Sequence, residues 1–127
     1  FDLLKFYTGR KVAVVHGVAQ SAAATILQAC DWRTITPNSS VLIHNSTHSN
    51  LVIEDINDSE ECQNFLEQVR RVNNRKLDIY STRTGRPVNE IALVCKKNKS
   101  MSAQEALAFG LVDQIVVSEE DIKVGLE

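Results

Sequence analysis

A short branched apolar run, Val12-Ala13-Val14-Val15, gives way within a few residues to Ala22-Ala23-Ala24-Thr25-Ile26-Leu27, and this pairing most limits what the chain can fold into. The first run suits a buried strand over about 12–16, and the second a helix from about 21 to 30. Between them lies Gly17-Val18-Ala19-Gln20-Ser21. Its glycine allows a tight turn, and its serine sets one hydroxyl at a strand-to-helix junction, with alanines beyond it for close approach of a substrate. α/β hydrolytic enzymes present a nucleophilic serine at such a junction, where N–H groups of the following helix can meet a developing oxyanion. A plain N-capping serine has the same local pattern, so the motif alone does not decide.

The alternation continues along the chain. Trp32 to Thr36 and Val41 to His44 read as short strands around the Pro37-Asn38-Ser39 turn, and the second strand ends in a histidine. Residues 45–53 have no helical period and read as a loop or extended arm. Asp58 and Glu61 have the spacing of a capping box for a long helix. Cys62, Phe65, Leu66, Val69, Val72 and Leu77 mark its apolar face, while Glu67, Arg70, Arg71, Arg75, Lys76 and Asp78 form a solvated one. Thr84-Gly85 ends it, and Pro87 opens a further helix through about Cys95. Ser102 and Glu105 form a second capping box, for a helix that Gly110 terminates. Leu111 to Val117 returns as a strand, and the acidic tail from Ser118 has room for one helical turn. The expectation is α/β architecture with parallel strands.

With 127 residues, 43% of them hydrophobic, the chain can bury one core, so residues 1–127 are expected to form a single domain. A formal charge of −2 gives no reason to expect nucleic acid or an anionic membrane as partner. No apolar run reaches the roughly 20 residues of a membrane span. Cys30, Cys62 and Cys95 are widely spaced and odd in number, which reads as free thiols in a reducing compartment, and none has metal-ligand spacing. A cytoplasmic location is expected, with an organelle or a phage-infected cell as the alternatives. Phe1 to Tyr7 reads as the end of an amphipathic helix stopped by Thr8-Gly9, so an earlier portion is expected to precede it.

Four blocks together resemble the proteolytic subunit of the ATP-dependent Clp protease, the ClpP family. They are Gly17-x-Ala19-x-Ser21, Pro37-Asn38-Ser39-x-Val41-x-Ile43-His44, Thr84-Gly85-Arg86-Pro87, and Met101-Ser102-Ala103-x-Glu105-Ala106 running on to Gly110-Leu111-Val112-Asp113-x-Ile115. They occur in the family's order from Phe1 to about Val117. The resemblance implies a ClpP/crotonase-type spiral of ββα units with a protruding handle helix. It also implies homo-oligomers of stacked heptameric rings, polypeptide substrates, and a Clp-family unfoldase ATPase that consumes the ATP, with no cofactor in this subunit. Ser21 matches the nucleophile, His44 the general base, and the backbone N–H of Ala22 one oxyanion donor. The second donor belongs to a glycine pair upstream of the helix that Phe1 finishes. His16 and His48 are poor candidates for the base. Relative to the family, the chain carries several extra residues between His44 and Thr84.

The third triad position departs from the family. Counting back four residues from Ser102 reaches Asn98, within Lys96-Lys97-Asn98-Lys99, where an aspartate is expected. Serine needs a base to take its proton, and histidine can serve near neutral pH. A third group then holds the imidazole tautomer and stabilises the imidazolium. An asparagine carbonyl can orient the ring but supplies no charge, and Lys97 or Lys99, if turned inward, would oppose a protonated His44. The expectation is a weakened serine endopeptidase, or one oriented by another group such as Glu54 or Asp55. The alternatives are a catalytically silent ring subunit and a crotonase-type acyl-CoA enzyme.

Overall fold

A computed structural model of the chain describes residues 1–45 and 60–127. After a short helix α1 (Asp2–Phe6), the backbone is built from a repeated strand–strand–helix unit. In the first unit β1 (Val12–Val15) and β2 (Val18–Gln20) lead into α2 (Ala22–Leu27). In the second, β3 (Trp32–Ile35) and β4 (Ser40–Leu42) precede α3 (Glu60–Thr84), a helix of 25 residues. The chain continues through α4 (Val88–Lys97), β5 (Met101–Ser102), α5 (Ala103–Phe109), β6 (Gln114–Ile115) and α6 (Glu119–Val124).

The first strand of each unit joins one sheet, in the order β1-β3-β6, and the second strand joins another, in the order β2-β4-β5. This is the mixed α/β spiral the sequence led us to expect, with three differences. Gly17 does not lead directly to Ser21: β2 intervenes, so the serine hangs from the second sheet. The strands are not all parallel, because β5 runs antiparallel to β4. The expected strand over 111–117 contracts to β6, since Leu111 and Val112 are buried beyond the ladder. The proposed Asp58 cap, the arm over 46–53, and His48, Glu54 and Asp55 lie outside the described residues.

Two turns carry the chain from one sheet to the other. Gly17, at φ +85°, reverses the first. Its N–H donates to Ser39 Oγ at 2.7 Å, and its carbonyl accepts from Ser40 N–H at 2.8 Å, so the two turns bind each other. Ile35, Val41, Ile43, Tyr80, Ile91 and Leu111 are sealed between the sheets and helices. Each such side chain stabilises the fold by roughly 1.5–3 kcal/mol. The Ser102/Glu105 capping box forms as expected, and Gly110 ends α5 at φ +93° with Thr84 backbone against its α-carbon. Among the described residues α3 meets the core through its last turns, at Leu77 and Tyr80, whereas Leu66 and Val72 on its apolar face are exposed. The tail after Ser118 exceeds a single turn, because Ser118 and Asp121 form a capping box.

One buried charge pair fastens β3 to the start of β6. Arg33, 4% exposed, donates to Asp113 from Nε at 2.9 Å and from Nη2 at 2.5 Å, and its backbone N–H adds a third bond at 2.8 Å. Gln28 Oε1 accepts from Arg33 Nη1 at 2.5 Å, and Gln28 Nε2 donates to the Leu111 carbonyl at 3.2 Å. Burial alone would raise the Asp113 pKa, but the bonds and charge of Arg33 outweigh it and hold the carboxyl below its ordinary value. A lowered carboxyl pKa stabilises the fold above the unfolded value of about 3.9, and that contribution is lost as pH falls through the folded value. Asp113→Asn, which strands the guanidinium, is expected to cost about 3 kcal/mol in urea unfolding at pH 7. The gap from wild type should begin to narrow below about pH 4, where the unfolded carboxyl takes up a proton, and close as pH falls through the lower folded value of Asp113.

Candidate functional site

The parallel pairing of β2 with β4 carries the segments that hold Ser21 and His44 to the same end of the sheet. Its register sets Val18 against Ser40, Ala19 against Val41 and Gln20 against Leu42. Parallel strands in register end level, so the residues that follow Gln20 and Leu42 leave the sheet on the same edge. One further bond fixes this edge: Ser21 N–H donates to the Leu42 carbonyl at 3.0 Å. Ser21 is half-buried, and so is His44. Among the described residues no hydrogen bond joins Ser21 Oγ to the His44 ring.

The backbone at Ser21 is strained. It has φ 53° and ψ −116°, a conformation that suits glycine rather than an L side chain. It turns the chain sharply out of β2 and into α2, whose first residue is Ala22. The first N–H groups of a helix have no acceptor within it, which leaves the Ala22 N–H beside the Ser21 hydroxyl as an available donor. The Ser21 carbonyl is held from within α2, accepting from Thr25 N–H at 3.1 Å and from Thr25 Oγ1 at 3.3 Å. Thr25 Oγ1 lies 2.8 Å from the hydroxyl of Tyr80, which is buried. Burial pushes the Tyr80 pKa up to about 12, despite the Thr25 bond, so the phenol keeps its proton.

Among the described residues no hydrogen bond joins Asn98 to either Ser21 or His44. Asn98 caps the C-terminus of α4 with φ 50° and ψ 37°, and it is exposed. The pairing of β4 with β5 nevertheless aims the two segments at each other: Ser40 faces Ser102 and Val41 faces Met101, antiparallel. Extended past the pairs formed, the same count would set Asn98 opposite His44, although neither residue lies in the ladder. Among the described residues, Ser21 and Asn98 are the non-glycine positions with positive φ. Strained backbone of this kind concentrates at working sites, although asparagine is also a common left-handed helix cap. Lys97 and Lys99 do not turn inward; both are exposed, and Lys99 pairs with Glu105 at 3.3 Å. His16 is likewise exposed at the end of β1.

Lys76 departs from the solvated face that the helical spacing predicts: it is half-buried and donates from Nζ to the His44 carbonyl at 3.1 Å. Burial lowers its pKa, and burial raises that of the neighbouring Cys95 thiol. The available signal was spacing: Lys76 precedes the core aromatic Tyr80 by one helical turn.

Cys30, Cys62 and Cys95 form no disulfide among the described residues. Among the described residues no group of three or more His, Cys, Asp or Glu side chains could hold a metal ion. No helix among them is long and apolar enough to cross a membrane.

Comparison with known proteins gives a consistent result. The family model for Clp protease matches residues 1–119. The chain is 31% identical, over 127 aligned residues, to ATP-dependent Clp protease proteolytic subunit 1 of Protochlamydia amoebophila, covering 97% of this chain and 59% of that one. It is 28% identical to the corresponding subunit of Chlorella vulgaris over 121 residues, covering 92% and 57% respectively. For proteolytic subunit 2 of Pseudomonas aeruginosa the identity is 27% over 124 residues, covering 96% and 59%. The chain thus spans little more than half the length of the curated relatives it matches.

Proposed function

Because this chain belongs to the Clp protease family, we propose that it carries the nucleophile and base of a serine endopeptidase subunit that hydrolyses unfolded polypeptides. In this reading Ser21 Oγ attacks the scissile carbonyl carbon while His44 accepts its proton. The carbonyl oxygen becomes an oxyanion that the Ala22 N–H receives. His44 then returns the proton to the leaving amine, and water hydrolyses the acyl-serine by the same steps in reverse. Asn98 stands at the orienting position, with an amide where charge is useful. Substrate binding draws the hydroxyl and the imidazole into hydrogen-bond range, as is common where catalytic bonds are long in the free enzyme.

The carrying observation is that Ser21 and His44 leave the same end of two paired parallel strands, His44 one residue beyond the position opposite Ser21, with the serine on a strained turn. The subunit works in the cytoplasm as part of stacked heptameric rings. A ring-shaped unfoldase ATPase feeds it substrate and spends the ATP, and the subunit itself needs no cofactor. A second reading is a silent ring subunit. What favours it is the exposed Asn98, with no bond to His44 among the described residues.

Fluorophosphonate labelling of the full-length protein separates the two. The expected result is one phosphonyl adduct on Ser21, located by peptide mass spectrometry and abolished by Ser21→Ala. Assembled rings that take no label would instead identify a silent subunit.

A further inference from the structure

Two side chains one turn apart on α3 each hold one member of the Ser21/His44 pair by its backbone. Lys76 Nζ donates to the His44 carbonyl at 3.1 Å. Tyr80 meets Thr25 Oγ1 at 2.8 Å, and Thr25 in turn donates to the Ser21 carbonyl. The two grips differ in their security. Ser21 is also tied to the strand by its own N–H, through the Leu42 carbonyl, and it opens a helix. His44 lies beyond Leu42, the last paired residue of β4, so the ladder no longer holds it. Among the described residues Lys76 is the donor its carbonyl receives.

A lysine on a helix face normally extends into water, and drawing its ammonium into a half-buried position is costly. Here burial depresses the Lys76 pKa, so the contact with His44 is held against that cost. An acylation step is sensitive to such placement, since a displacement of about 1 Å of a reacting group can cost roughly 10²-fold in rate.

We propose that Lys76 is a positioning residue for the general base, fixing through the His44 carbonyl the stretch of backbone from which the imidazole projects. The proposal rests on the reading of Ser21 and His44 as nucleophile and base. It makes the last turns of α3 a brace spanning the site, with Lys76 on the base and Tyr80, through Thr25, on the nucleophile.

The test uses the full-length protein with a fluorogenic peptide and a fluorophosphonate. Lys76→Met is expected to lower kcat by about ten- to a hundredfold with KM unchanged. It should slow phosphonylation of Ser21 to a similar degree and leave the assembled size unaltered. Lys76→Arg retains a cationic donor of comparable reach and is expected to recover most of the loss, whereas Arg75→Met, on an exposed neighbour, should match wild type. If Lys76→Met does not fold, Lys76→Gln takes its place, with a polar head too short to span the gap. A folded Met or Gln variant with wild-type kcat overturns the proposal, as does a loss confined to KM or an arginine variant as impaired as the methionine one. Wild-type protein that takes no label overturns the underlying reading as well; a labelled wild type with an indifferent Lys76 variant overturns the positioning role alone.

Discussion

Ser21→Gly in the full-length protein is expected to abolish peptide hydrolysis while making the fold more stable. The two effects have one origin. At φ 53° and ψ −116° the serine occupies backbone space that costs an L residue about 1–3 kcal/mol and costs glycine nothing. Glycine gives part of this back through the greater freedom of its unfolded chain, leaving a net gain of about 1 kcal/mol. Removing the nucleophile of a triad lowers turnover by about 10⁴- to 10⁶-fold. Urea unfolding and peptide turnover, measured on the same preparation, read the two quantities separately. Residual hydrolysis near the wild-type rate would remove Ser21 from the chemistry. Reduced stability would show that the turn stores no strain.

Asn98→Asp is expected to act in the opposite direction, raising turnover by at least about tenfold and by as much as 10⁴-fold. The upper figure is the loss seen when a chymotrypsin-type triad exchanges its aspartate for asparagine, about 5 kcal/mol of barrier. A carboxylate accepts the imidazole N–H in one tautomer only and stabilises the imidazolium, whereas an amide can turn its NH₂ to the ring. The substitution is mild for the backbone, because aspartate and asparagine both tolerate the left-handed conformation found at this helix cap. A negative charge at the end of α4 opposes the helix dipole by about 0.3–1 kcal/mol, too little to unfold the protein. Asn98→Ala serves as the comparison. Turnover in Asn98→Asp equal to or below that of wild type would place the orienting group elsewhere.

The residues that act through local geometry were legible in the sequence. Ser102 and Glu105 cap a helix wherever they stand three apart before an apolar run, and Gly110 stops it because its backbone must turn left-handed. Ser21 declared itself by its small neighbours. What stayed hidden was set by pairing across the chain. Val18-Ala19-Gln20 is too short for any periodicity, and it becomes a strand only because β4 lies beside it. Met101 and Ser102 likewise form β5 only through β4. Arg33 between Trp32 and Thr34 gives no hint of burial, since its partner Asp113 is 80 positions away. Lys76 was hidden for a related reason: a helical period identifies an apolar stripe but not how far along the helix the core extends.

The bond from the Ser21 N–H to the Leu42 carbonyl has an evolutionary corollary. The strand pairing that sets the register of these two segments is laid down before residue 45. Insertions and deletions between that point and the closing turns of α3 can accumulate without altering this register, provided the helix returns Lys76 and Tyr80 to their contacts. Chain length in that interval is therefore free to diverge among descendants that retain the same chemistry.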